Sequence, residues 1–328
     1  MSLLTPRNLS CVCIAFFVSA CEAPLELSDV NSALAKATYR SDLFQAVAFQ
    51  QGTAIAVGGM GAIVRSDDAG ANWQRATLPG KPFLVDATVC PDGHFYTIEK
   101  TDGIWSLQTD GSWSRKTLPE MTEPQAVTCD SSNVLWVTGG FSSIFHSNDA
   151  GDSWESWSLD EDLYLTTIQF TDDRHGVVTG EFGTVLVSAD SGSSWERAEN
   201  LPGDFYPQSA YFSDRTSGWV VGLNGTIWAT EDNAQSWRQI TTGFNIPLYG
   251  VTGTGDTLVA VGENTTILFH RPGDSSWNLL ESAMQTRTYL RAVTAVDDHQ
   301  FVTAGGGGAL FTINVPEQVA TEVTGDNS

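Results

Sequence analysis

Residues 65–73 read RSDDAGANW, and HSNDAGDSW at 146–154 and VSADSGSSW at 187–195 repeat the same arrangement. The shared letters are S-x-D-x-G-x-x-W. Looser copies follow: TEDNAQSW at 230–237 has Ala234 in place of the glycine, while SLQTDGSW at 106–113 and HRPGDSSW at 270–277 keep the length and the tryptophan. The tryptophans Trp73, Trp113, Trp154, Trp195, Trp237 and Trp277 are spaced 40, 41, 41, 42 and 40 residues apart. Such a period marks a repeat architecture, in which each unit buries its apolar faces only against neighbouring copies.

Each residue type in the turn has a local job. The hydroxyls of Ser66, Ser147, Ser188 and Thr230 and the carboxylates of Asp68, Asp149, Asp190 and Asp232 can accept hydrogen bonds from the turn's own amides. Gly70, Gly151 and Gly192 allow a positive φ, and Trp73, Trp154, Trp195 and Trp237 each bring a large ring to bury between units. The expected role is structural.

Upstream of each turn lies a second shared element, an apolar run, a tight glycine-containing turn and another apolar run. It occurs seven times, from AIAVGGMGAIV at 54–64 to FVTAGGGGALF at 301–311, each time after a short strand-like segment such as LTTIQF at 165–170. One repeat is therefore strand A, strand B, a tight turn, strand C, the polar turn and strand D. Runs apolar at consecutive positions fit sheets covered on both faces, and a radial array supplies that cover where a linear stack leaves its ends bare. The expected fold is all-β, a seven-bladed β-propeller over 31–313. The seventh repeat lacks its polar turn and tryptophan, while Asn31 to Ala33 stand one strand before the first repeat. The N-terminal segment is thus expected to complete the last blade.

The polar turn resembles the Asp-box of sialidases and other propellers, which is structural and lies opposite the ligand face. The longer pattern WVVGLNGTIWATEDNAQSW at 219–237 is similar to the photosystem II stability and assembly factor family of seven-bladed propellers, over roughly 40–312. That resemblance implies a non-enzymatic assembly role on a membrane complex. The family engages its client through surface arginines, whereas this chain has 16 basic and 39 acidic residues and a net charge of -23. A different membrane client is expected. The same negative field repels phosphate backbones, which excludes nucleic acid as a partner.

Residues 1–20 carry one arginine and a short apolar run, as an export signal does, and VSAC at 18–21 resembles the lipobox of bacterial lipoproteins. Acylation of Cys21, a linker over 21–30 and a periplasm-facing anchor follow, with the outer membrane favoured because Glu22 is not the aspartate linked to inner-membrane retention. A plain signal peptide cut nearby is the alternative. Residues 314–328 form an acidic tail expected to be disordered. Cys90 and Cys129 remain, in a compartment that permits a disulfide. They are either bonded or two buried thiols, and an offset of one position in the repeat register sets their side chains on opposite faces of their sheets.

If the polar turns define one face, the B-to-C tips and D-to-A connections define the other. There the candidate partner-binding residues are Glu99, Phe141, Tyr164, Glu181, Phe182, Phe205, Tyr206, Phe244, Tyr249 and Glu263, with Met60 and Phe83 beside them. Acid with aromatic suits a protein partner, a sugar or a cation, although such aromatics also serve as wedges between blades. Arg40, Arg287 and Arg291 gather near the closure, where they either clamp a carboxylate or neutralise acids. A monomeric, non-enzymatic docking platform for an envelope or membrane complex is the first expectation, and a carbohydrate-binding or sialidase-like propeller the alternative. The chain lacks the Arg-Ile-Pro signature of sialidases, and neither metal-ligand spacing nor a cofactor motif is present.

Overall fold

A computed structural model describes residues 36–120, 123–203, 205–281 and 287–316. The chain divides into Met1–Lys36 and a compact unit, Ala37–Ser328. The expected leader, Cys21, the linker, Asn31 to Ala33 and all but the first residues of the tail lie outside the described residues.

The compact unit is built from antiparallel meanders. Blade 1 consists of β1 (Phe44–Gln50), β2 (Thr53–Gly58), β3 (Ala62–Ser66) and β4 (Gln74–Thr77). Blade 2 holds β5 (Leu84–Val89), β6 (Phe95–Glu99), β7 (Gly103–Leu107) and β8 (Trp113–Thr117), and blade 3 holds β9 (Ala126–Cys129), β10 (Leu135–Thr138), β11 (Ser143–Ser147) and β12 (Glu155–Ser158). Blade 4 has β13 (Leu165–Phe170), β14 (Gly176–Gly180), β15 (Val185–Ser188) and β16 (Glu196–Arg197). In blade 5 these are β17 (Ser209–Phe212), β18 (Gly218–Val221), β19 (Thr226–Thr230) and β20 (Arg238–Thr241). Blade 6 comprises β21 (Leu248–Thr254), β22 (Thr257–Gly262), β23 (Ile267–His270) and β24 (Asn278–Leu279). Blade 7 shows β25 (Leu290–Ala295), β26 (Gln300–Gly305) and β27 (Leu310–Asn314) among the described residues.

Seven separate apolar clusters hold these sheets together, one at each seam between neighbouring blades. The ring closes where Phe44, Val47, Ala56 and Val64 of blade 1 pack on Val302 and Ala304 of blade 7. Consecutive apolar runs in the B strands are thereby explained, since both faces of each sheet are covered. The fold is the seven-bladed β-propeller that the period implies.

The tryptophans take the places expected of them. Trp195 and Trp277 are members of the clusters joining blades 3 to 4 and 5 to 6, and Trp73, Trp113, Trp154 and Trp237 pack against the corresponding seams. Each ring thus fills the seam with the preceding blade. The polar turn is tied by its own side chains. The Ser66 hydroxyl accepts from the Gly70 amide at 2.9 Å and donates to Asp68 at 2.8 Å, and Asp68 accepts from the Asn72 amide at 2.7 Å. The same bonds recur around Asp149, Asp190 and Asp232. In the last of these boxes Ala234 takes the glycine's place with a φ of 59°, kept there by an amide bond to the Thr230 hydroxyl.

Cys90 and Cys129 form a disulfide, with 5.1 Å between their Cα atoms. The one-position offset favours the bond. The residues belong to facing sheets of blades 2 and 3, so side chains that meet in the seam must leave opposite faces of equivalent strands.

Most inner strands carry a β-bulge at their second residue. The register shifts at Gln45, Val85, Thr166, Tyr249 and Arg291, all of which line the centre of the ring. A bulge re-aims one side chain, and here every bulged residue borders the central channel.

Candidate docking face and central channel

The two faces of the ring separate as the repeat pattern implies. Polar turns bond to A-to-B turns, as Ala69 N does to Gly52 O at 2.8 Å and Ser191 N to Arg174 O at 2.9 Å. B-to-C tips bond instead to D-to-A connections, as Gly183 N does to Phe205 O at 2.7 Å and Ser142 N to Leu163 O at 2.8 Å. Close approach makes glycine necessary at Gly183, because a Cβ there would collide with the Leu201 carbonyl.

At the tip of several B-to-C turns two successive residues adopt the left-handed conformation, and the first position is the one that varies most in size. Asn224, Asn264 and Gly307 occupy it in blades 5, 6 and 7, with φ values of 61°, 57° and 62°. These types tolerate it. In blades 1 and 4 the same position holds Met60 and Phe182, at 59° and 57°, and the blade 3 tip sets Phe141 at 51°. Their side chains point outward, with exposures of 65%, 58% and 55%. Leu43, Phe83, Tyr206 and Leu223 add exposed apolar surface to the same face. Bulky residues at positive φ cost stability, and exposure returns none of it through packing.

The other candidates divide between surface and seam. Phe205 packs into the seam between blades 4 and 5, and Phe244 into that between blades 5 and 6, so both are wedges. Tyr164 is half-buried, its hydroxyl donating to Glu123 at 3.3 Å and its amide to Glu181 at 2.9 Å. Tyr249 donates to Glu263 at 3.0 Å. Burial first, then these carboxylates, pushes both phenols upward, so their hydroxyls stay protonated donors.

Glu99 is not a surface residue. Its side chain folds over Gly103, which has no Cβ to obstruct it, and accepts from Arg115 at 2.5 Å and from Trp105 and Thr101 at 3.0 Å each. Burial alone raises a carboxyl, but these donors hold Glu99 below the ordinary range. The three arginines near the closure also part company. Arg40 and Arg287 lie on exposed connections and make no hydrogen bond or ion pair among the described residues. Arg291 instead enters the channel, where it donates to the Tyr249 carbonyl at 2.8 Å and to Gln208 oxygens at 3.4 Å.

The channel is a polar cavity of about 200 Å³ on the ring axis. Asp86 lines it from blade 2, and one of its oxygens accepts from the Val127 amide of blade 3 at 2.8 Å. Burial pushes the Asp86 carboxyl up from 3.8 to about 6, against the amides of Val127 and Ala87 and the charge of Arg291, which pull it down. Arg291 is shifted downward, chiefly by burial. Sequence reading missed this pairing. The available signal was a charge inside an inner strand, LVDATV at 84–89, at a position where the other blades place small or neutral residues.

The sequence profile of the photosynthesis system II assembly factor YCF48 family matches residues 153–269. Over that span the repeats are similar to those of that family. Two solved YCF48 structures have the same fold. One, bound to a D1 peptide, is 14% identical with a TM-score of 0.70, covering 85% of this chain and 93% of its own. The other, from Cyanidioschyzon merolae, is 14% identical with a TM-score of 0.69 and coverages of 84% and 96%. A virginiamycin B lyase from Staphylococcus aureus is as similar in shape, with a TM-score of 0.73 at 13% identity and coverages of 84% and 96%. Among curated proteins no sequence matches significantly. At these identities the structural likeness establishes the propeller, and the similarity to the YCF48 family rests on the sequence profile over residues 153–269.

Proposed function

We propose that the chain is a non-catalytic docking platform for a membrane or envelope protein complex, held at the membrane by a lipid on Cys21 and facing the periplasm. The observation that carries the reading is the strained apolar tip: Met60, Phe141 and Phe182 hold positive φ while exposing their side chains on one face. A folding cost without a packing return is consistent with a binding surface. The acids Glu181 and Glu263 beside the tips, within a chain of net charge -23, suit a partner whose apolar contact is ringed by basic residues. That a YCF48 structure holds a D1 peptide supports a protein as the kind of client.

The test is affinity capture from solubilised membranes with wild type and with Phe141→Asn, Phe182→Asn. Asparagine occupies the equivalent turn in blades 5 and 6, so the double variant should melt no lower than wild type. The expected result is a stoichiometric protein partner held by wild type and lost by the variant. Retention by the folded variant, or hydrolysis of a fluorogenic glycoside panel, overturns the reading.

A further inference from the structure

We propose that the central channel is a binding site for a small zwitterion bearing both an amino and a carboxylate group, such as a free α-amino acid. Arg291 would take the carboxylate and Asp86 the ammonium group.

The argument begins with what the fold itself needs at these positions. Asp86 accepts the Val127 amide of the next blade, and Ser209 does the equivalent for the Val251 amide at 3.2 Å with a neutral hydroxyl. A charge is therefore not required for that bond. The bulged position that carries Arg291 is filled by neutral Gln45 in blade 1 and by Tyr249 in blade 6. The propeller thus builds its axis from uncharged residues except at two places, which lie in different blades and share one cavity.

The two charges also do not satisfy one another. Among the described residues the hydrogen bonds of Arg291 all go to oxygens of Tyr249 and Gln208 and use Nη1, while Asp86 acts on it only through space. Both groups are half-buried, and holding two partly desolvated charges without direct contact is costly, which a ligand of opposite polarity at each end offsets. The volume of about 200 Å³ sets the size. A cavity of about 150 Å³ holds a molecule the size of benzene, so the enclosed space suits a ligand of roughly ten heavy atoms or fewer.

Titration calorimetry with glycine, L-alanine, L-proline, acetate and methylammonium tests the site at pH 7.5. The expected result is saturable one-to-one binding of at least one amino acid, with acetate and methylammonium each weaker by about tenfold or more, as loss of a charged hydrogen bond implies. Arg291→Gln and Asp86→Asn should each weaken the amino acid by a similar factor while keeping the wild-type near-ultraviolet spectrum. Acetate binding as well as the amino acids, no binding by any of the five probes, or amino-acid binding unchanged in either folded variant overturns the proposal. The selectivity series on wild type decides the matter even if a variant does not fold.

Discussion

The charged residues of this propeller follow opposite titration logic according to where they sit. In the polar turns, the Asn72 side chain and amide, with Ser66, hold Asp68 down at about 2, and the Ser153 side chain and amide, with Ser147, do the same for Asp149. A carboxyl lowered on folding adds stability above its unfolded value of 3.8, which is lost as the pH falls through about 2. Asp86 runs the other way. Its folded value of about 6 lies above 3.8, so the folded state binds the proton more tightly and stability is highest below 3.8, declining as the pH rises through about 6. Asp86→Asn should therefore be more stable than wild type by about 1 to 3 kcal/mol at pH 8, with the difference vanishing below pH 4. Urea melts of both proteins across that range measure it, and a variant less stable at pH 8 would show that the charge is already compensated. Asp86 itself was legible only as an odd letter in a strand, because nothing local says which inner strand will face it.

At the scale of the element, the unit of stability is the tryptophan-capped turn seated against the preceding blade. Trp195 is 5% exposed and meets Trp136 at 6.1 Å and Phe170 at 6.0 Å between ring centroids, so its removal empties a filled seam. Trp195→Ala should cost about 3 to 5 kcal/mol by chemical denaturation. Loss of one turn hydrogen bond should cost about 1 kcal/mol. A loss at Trp195 no larger than this smaller figure would mean that the turn, not the ring, secures the blade. Strand order, both turn types and the tryptophan role were readable because each is local and repeats at a fixed period. The bulges were not readable, since they depend on pairing between strands.

At the largest scale the compact unit is held as a ring by its seams, and one of them is also covalent. The Cys90–Cys129 bond joins blades 2 and 3 across a separation of 39 residues. Closing a loop of that length in the unfolded chain implies a stabilisation of about 4 kcal/mol, so Cys90→Ser, Cys129→Ser should lower the denaturation midpoint accordingly. An unchanged midpoint in urea would show that the apolar seam alone sets the stability there. The same comparison under reducing conditions should bring wild type down to the variant.

By itself, the sequence determined the number of blades, the identity of the two faces and the structural character of the polar turn. All three follow from a period of about forty residues and from interactions within a few positions of each other. Tertiary structure alone decided that Glu99 turns inward, that Arg40 and Arg287 stay exposed while Arg291 lines the channel, and that Arg291 shares this channel with Asp86. Those outcomes depend on which side chain a bulge aims at the axis and on what faces it from another blade, and such distances are set by closure of the ring, not by spacing along the chain.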